Sequence, residues 1–244
     1  MRVDFVIGGT QKGGTSALDS FLRQHPEICM PETRKELHFF DREADDTDYK
    51  KYHANFKPKQ QRVIGEASPI YMYWETAPYR IWKYNPKMKW ILALRNPVER
   101  AFSAWNMETK RGKEKLPFAE AIEKEPGRCR EALPLQHRVY SYVDRGFYAH
   151  QVRRLFNIFG KEKCLILLNE ELRSDHKKTL RRVFEFLGVD SSFVPREASV
   201  FEQEYPNKID NQLRSSLIET FYFDIKELEK FLRRDLSKWY DKKS

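Results

Sequence analysis

The chain has 244 residues, enough for one large domain or two small ones. Hydrophobic residues make up 40% and aromatics 14%, and 17 Phe, 12 Tyr and 5 Trp argue against a disordered chain despite a charged fraction of 33%. The net charge of +9 favours an anionic partner without choosing among nucleotide, polysaccharide, membrane and nucleic acid, and three cysteines (Cys29, Cys129, Cys164) support neither a disulfide framework nor a zinc pattern.

In chain order, residues 3–7 form a short β-prone run that Gly8 and Gly9 end. Leu18, Phe21 and Leu22 repeat at helical spacing and stop before His25-Pro26. Residues 62–65 read as a weaker strand. Residues 90–94 are nearly all apolar, as in a strand buried on both faces of a parallel sheet, and Pro97 then opens a helix. The charged stretch 110–134, broken by Gly and Pro, reads as an excursion over the surface. Val152, Leu155, Phe156 and Phe159 make one helix face with Gly160 as its cap; residues 164–168 are a second buried strand. Leu180, Val183, Phe184 and Leu187 face one side of a helix that Gly188 closes. The last 35 residues read as two helices with Ile225, Leu228, Phe231 and Leu232 inward. Strands alternating with helices predict an α/β fold, a central parallel β-sheet flanked by helices, within one domain over 1–244. No run approaches the ~18 apolar residues of a membrane span. The early strand and Lys12 read against a signal peptide, so a cytoplasmic protein is expected.

The most informative segment is 8–16, Gly8-Gly9-Thr10-Gln11-Lys12-Gly13-Gly14-Thr15-Ser16, between a strand and a helix. Backbone N–H groups and the helix dipole at such a turn hold phosphate. The segment imitates the frame G-x-x-x-x-G-K-[ST] of nucleoside-triphosphate-binding loops, but Gly14 stands where that frame has lysine, and Lys12 lies inside the loop. The substitution counts against triphosphate hydrolysis; a Gly-rich turn used only for packing is the plainer alternative. A second cluster follows the buried strand. Arg95 emerges at a strand's carboxyl end, where open α/β sheets bind ligands, and Ser103 lies on the helix that follows.

Together these segments resemble the sulfotransferases that use 3′-phosphoadenosine 5′-phosphosulfate (PAPS), with a P-loop-like nucleotide-binding architecture. Residues 10–15 are similar to that family's 5′-phosphosulfate loop, and Leu94-Arg95-Asn96-Pro97 through Ser103 to its 3′-phosphate motif. Lys35-Glu36-Leu37-His38-Phe39-Phe40-Asp41 resembles the catalytic segment of the heparan sulfate 3-O-sulfotransferases and related N-sulfotransferases. Residues 146–149 and 186–188 also match in order. The resemblance implies that Gln11, Lys12, Gly13, Gly14, Thr15 and Ser16 hold the 5′-phosphate, with Lys12 stabilising charge as it leaves. Arg95 and Ser103 would hold the 3′-phosphate, with Tyr148 near the nucleotide. Glu36 would be the general base on an acceptor hydroxyl or amine, assisted by His38. Adenosine 3′,5′-bisphosphate would be the product, and no metal is implied. Independently of the resemblance, residues two apart in an extended segment share a face, which would bring Glu36 and His38 together.

Some features depart from the heparan enzymes. Ala67 follows Glu66 where they have a lysine, and the stretch 201–207, where they have a basic closing loop, is acidic, so that either other residues such as Arg196 or Lys208 cover the nucleotide or the lid differs. Their paired C-terminal cysteines are missing. The acceptor, a saccharide or small molecule, stays open, with Tyr71, Tyr73 and Trp74 as cleft candidates. Two other readings compete: a kinase using ATP–magnesium on the same loop, and a non-catalytic polyanion or nucleic-acid-binding protein. Scattered basic residues without a nucleic-acid motif disfavour the latter.

Overall fold

A computed structural model describes residues 1–42, 48–196 and 208–241. The elements run β1 (Phe5–Gly9), α1 (Thr15–Leu22), β2 (Ile28–Cys29), α2 (Tyr49–His53), β3 (Val63–Ala67), α3 (Ala77–Tyr84), β4 (Lys89–Leu94), α4 (Pro97–Lys110) and α5 (Phe118–Glu131). They continue with α6 (Tyr148–Phe159), β5 (Cys164–Leu168), α7 (Asn169–Ser174), α8 (His176–Leu187) and α9 (Asn211–Leu232). The chain divides into two compact units, one of Met1–Arg95 with Arg154–Glu202, the other of Asn96–Arg153 with Gln203–Ser244.

The first unit carries the whole sheet. Its order is β2-β3-β1-β4-β5, with every pairing parallel. Strands covered on both faces must be apolar throughout, and β1 and all of β4 after Lys89 are buried. Ala17, Leu18, Phe21 and Leu22 of α1 meet Phe5 and Ile7 of β1 in the core, joined by Leu180, Val183, Phe184 and Leu187 of α8. The α8 stripe follows the i, i+3, i+4, i+7 spacing of a helix face. Asp175 starts α8 by accepting the N–H of Lys178, and Gly188, at φ 79°, ends it. His25 ties the far end of the α1 turn to this layer. Its Nδ1 accepts the N–H of Glu27 at 3.1 Å, so Nε2 carries the proton that bonds Asp190 O at 2.9 Å.

The second unit is helical. Pro97 is the first residue of α4, and the Asn96 side chain accepts from Val98 N, as expected of a helix start. Asp210 caps α9 by accepting from Gln212 and Leu213. Asp224 of α9 in turn accepts the N–H groups of Tyr148 at 2.7 Å and Ala149 at 3.1 Å, fixing the start of α6.

Several boundaries differ from the sequence reading. The excursion over 110–134 contains a full helix, α5, because Phe118, Ala121, Ile122 and Glu125 supply an inward face that outweighs Pro126 and Gly127. The last 35 residues hold one long helix, α9, followed by a single 3-10 turn over Ser237–Trp239. Ile225 and Leu228 are buried as expected, whereas Phe231 and Leu232 are partly exposed. Strand β2, only two residues long, gives no periodicity to read. Tyr71, Tyr73 and Trp74, at 0%, 7% and 1% exposure, belong to the core. The acidic stretch 201–207 lies outside the described residues. Among the described residues no helix is long and apolar enough to cross a membrane.

Phe184 is fully buried, with its ring centroid 4.6 Å from that of His25, while Phe223 on α9 is 82% exposed. Phe184→Ala is expected to lower the unfolding free energy by about 3–5 kcal/mol in urea titrations. Phe223→Ala should change it by no more than about 0.5 kcal/mol, and equal losses would contradict the packing described.

Candidate active site

The chain leaves β1 at the carboxyl edge of the sheet and turns through Thr10–Gly14 into α1. The N–H of Thr10 donates to Ala93 O in β4 at 3.1 Å, and that of Gly13 to Thr10 O at 2.9 Å. A Cβ on Gly13 would lie 1.9 Å from Ala93 O, so only glycine fits there. Gly14 caps α1 at φ 103°, a left-handed conformation strained for any residue with a side chain, and has no side chain to accept from the helix's first N–H groups. The backbone thus disfavours the lysine that a triphosphate-binding loop has at this position. Lys12 is also left-handed, at φ 69°. The loop is braced from two further strands' ends: Asn169 Nδ2 donates to Gly13 O at 3.0 Å, and Arg95 Nη1 to Lys12 O at 3.4 Å.

The segment bearing Glu36 lies against this turn. Lys35 Nζ donates to Thr15 Oγ1 at 3.2 Å and Ser16 Oγ at 2.9 Å, and stands 3.6 Å from Glu36 Oε1. One side chain therefore joins the first turn of α1 to Glu36. Burial pulls the Lys35 ammonium below its ordinary value, against the opposing pull of Glu36 and Asp19. His38 Nε2 lies 3.2 Å from Glu36 Oε2, and Nδ1 2.9 Å from Asp41 Oδ2. Asp41 first, then Glu36, raises the imidazole to about 9, against burial, so it is an imidazolium at neutral pH. Burial pushes Glu36 up, but the bond to His38 and the charge of Lys35 outweigh it and hold the carboxyl below its ordinary value. Phe39 and Phe40, 5% and 2% exposed, bury the segment's far end.

Of the residues singled out from the sequence, Gln11, Lys12, Gly13, Gly14, Thr15, Ser16, Glu36, His38 and Arg95 all belong to the first unit. Glu36 and His38 do meet, although His38 is left-handed, at φ 52°, rather than extended. Ser103 and Tyr148 belong to the second unit, where both are fully buried, Tyr148 with its ring 6.2 Å from that of Trp239. Sequence reasoning missed Lys35 and Asn169. In an extended run Lys35 would face away from Glu36, so only its adjacency to the acid hinted at a role. Asn169, 156 residues from Gly13, had no sequence signal at all.

Residues 2–243 match the family model described as a sulfotransferase domain. The chain is 32% identical over 213 residues to the human bifunctional heparan sulfate N-deacetylase/N-sulfotransferase 3, covering 81% of this chain and 24% of that one. It is 32% identical over 193 residues to the mouse heparan sulfate glucosamine 3-O-sulfotransferase 6, covering 75% and 52%. The chain thus spans about a quarter and about half the length of these two curated relatives. The crystal structure of a sulfotransferase from Alicyclobacillus acidocaldarius superposes with a TM-score of 0.86 at 34% identity, over 98% of this chain and 99% of that one. A glycine turn opening a parallel sheet, the acid that Lys35 ties to it and a family match over nearly the whole length agree: the chain belongs to the sulfotransferase family.

Proposed function

We propose that this protein transfers the sulfuryl group of PAPS to a hydroxyl or amine of an acceptor, with Glu36 as the general base. The observation that carries the reading is the Lys35 bridge, because it sets a carboxylate beside a turn suited to an anion. The glycine turn fits a phosphate: Gly13 leaves no Cβ in the way, and Thr15 and Ser16 add hydroxyl donors to the N–H groups of α1. Arg95 is the candidate for the 3′-phosphate, while Ser103 and Tyr148 keep their nucleotide-binding roles on the strength of the motif alone.

PAPS supplies an activated sulfuryl group and a phosphate as leaving group. In this reading Lys12 and Lys35 offset the negative charge that collects on the departing oxygens. Glu36 takes the proton from the acceptor's O–H or N–H, and it can do so because its neighbours keep it ionised. An imidazolium at neutral pH cannot serve as the base, so His38 assists by orienting Glu36 and stabilising its charge. The acceptor we propose is a saccharide amine or hydroxyl, a choice supported by the likeness to the two heparan sulfate sulfotransferases.

Glu36→Gln should leave adenosine 3′,5′-bisphosphate affinity nearly unchanged in calorimetry while lowering kcat by about 10²–10⁴-fold, the usual scale of general base catalysis. Retained turnover would remove Glu36 from the role. Arg95→Ala should reduce the preference for the 3′,5′-bisphosphate over adenosine 5′-phosphate by about tenfold to a hundredfold, the range of a lost charge-assisted bond.

His38 is faced by the carboxylates of Glu36 and Asp41, while the Arg42 guanidinium bonds its carbonyl at 3.1 Å. Because the folded value is raised, to about 9, its contribution to stability is fully present below the unfolded value of about 6.5 and lost as pH rises through 9. The stability difference between wild type and His38→Gln should therefore shrink between those two pH values. A difference that grows with pH would mean that the imidazole is neutral in the fold.

A further inference from the structure

Among the buried acids that the mechanism leaves unused, one is bonded to the segment that carries Glu36 through its hydroxyl partners. Glu66, in β3, is fully buried, and burial pushes its carboxyl above the ordinary value. Three hydroxyls donate to it: Tyr52 at 2.7 Å and Tyr71 at 3.0 Å on Oε1, and Ser68 at 2.7 Å on Oε2. Two of these hydroxyls also accept from the segment that carries Glu36 and His38. Ser68 Oγ accepts the N–H of Leu37 at 3.2 Å and of His38 at 3.4 Å, and Tyr71 Oη accepts that of Phe39 at 3.1 Å.

Three consecutive backbone N–H groups thus end on two oxygens whose protons are both committed to Glu66. A hydroxyl has one proton, and if it turned toward the segment it would meet a donor there. A carboxylate accepts from all three hydroxyls at once and so fixes the polarity of both contacts. The segment has need of such holding, since a non-glycine residue at φ 52° costs of order 1–3 kcal/mol and persists only where its surroundings over-determine it.

We propose that Glu66 is a positioning residue of this site: through Ser68 and Tyr71 it holds residues 37–39 so that the His38 ring spans Asp41 and Glu36 and sets the base. The proposal rests on the reading of Glu36 given above, but one arm of its test does not depend on activity. Glu66→Gln replaces one accepting oxygen by a donating NH2, which in either amide orientation reverses the hydroxyl of Ser68 or of Tyr71. Ser68→Ala removes one relay outright and leaves Glu66 its two tyrosine donors on Oε1.

The test follows the His38 ring by NMR titration in the full-length protein, alongside kcat and calorimetry with adenosine 3′,5′-bisphosphate. In both variants the His38 midpoint should fall from about 9 toward the ordinary ~6.5. kcat should fall about tenfold to a hundredfold, as for a misplaced catalytic group, with bisphosphate affinity held within about twofold. A folded Ser68→Ala protein whose His38 midpoint or kcat matches wild type overturns the proposal. If Glu66→Gln does not fold, Ser68→Ala and Tyr71→Phe decide it. If wild type neither binds the bisphosphate nor transfers sulfate, the functional reading fails, while the titration still decides whether Glu66 holds the segment.

Discussion

Between the carbonyl of Ala93 and the backbone at Gly13 there is no space for a side chain, and the rest of the site follows from that closeness. The chain can turn from β1 into α1 directly over the end of β4 only because residue 13 has no Cβ. With the turn pressed against β4, Arg95, the next residue beyond that strand, reaches the carbonyl of Lys12. On the other side β5 ends in Asn169, which bonds Gly13 itself. Three neighbouring strands thus converge on one loop at the carboxyl edge of the sheet, where a parallel α/β layer gathers its ligands.

Charges along the second segment alternate in a chain: Lys35, Glu36, His38, Asp41. The fully buried member is Asp41, so the low dielectric at that end makes it the stronger influence on His38, while half-exposed Glu36 is screened by water. This order has a chemical consequence. The proton on His38 is held chiefly from the buried side, so Glu36 can stay ionised without itself having to keep the imidazole charged. Shared equally between two exposed acids, the same imidazolium would be weaker support for a carboxylate proposed to receive a proton.

The glycine loop, the two apolar strands and the α8 stripe were legible because each is a local pattern: a spacing, a run, a punctuation. The pairing of Glu36 with His38 was also readable, though its extended-segment rationale was not the right one, since φ at His38 is left-handed. What local patterns could not give was anything made by distant parts of the chain. Asn169 against Gly13, and Glu66 under residues 37–39, join segments that no spacing relates. The α5 helix within the 110–134 excursion is hard to read for the opposite reason. Pro126 and Gly127 are strong local signals, yet the inward face of Phe118, Ala121 and Glu125 outvotes them once tertiary packing is counted.

A triphosphate-binding loop keeps its lysine within the loop's own helix start, where it moves with the phosphates. Here Gly14's backbone disfavours that arrangement, and the cation reaching Thr15 and Ser16 is Lys35, from the segment that also carries Glu36. The difference is mechanical as well as electrostatic. Under the proposed function, an anion drawn to the α1 hydroxyls would engage a side chain whose backbone neighbour is Glu36, so that occupying the turn and orienting the carboxylate would be one event. The hydroxyls of Thr15 and Ser16, which accept from Lys35, each keep one proton to donate. In that reading a donor bound there would meet a carboxylate already in place, and displacing the 35–41 segment would remove Lys35 and Glu36 from the turn together.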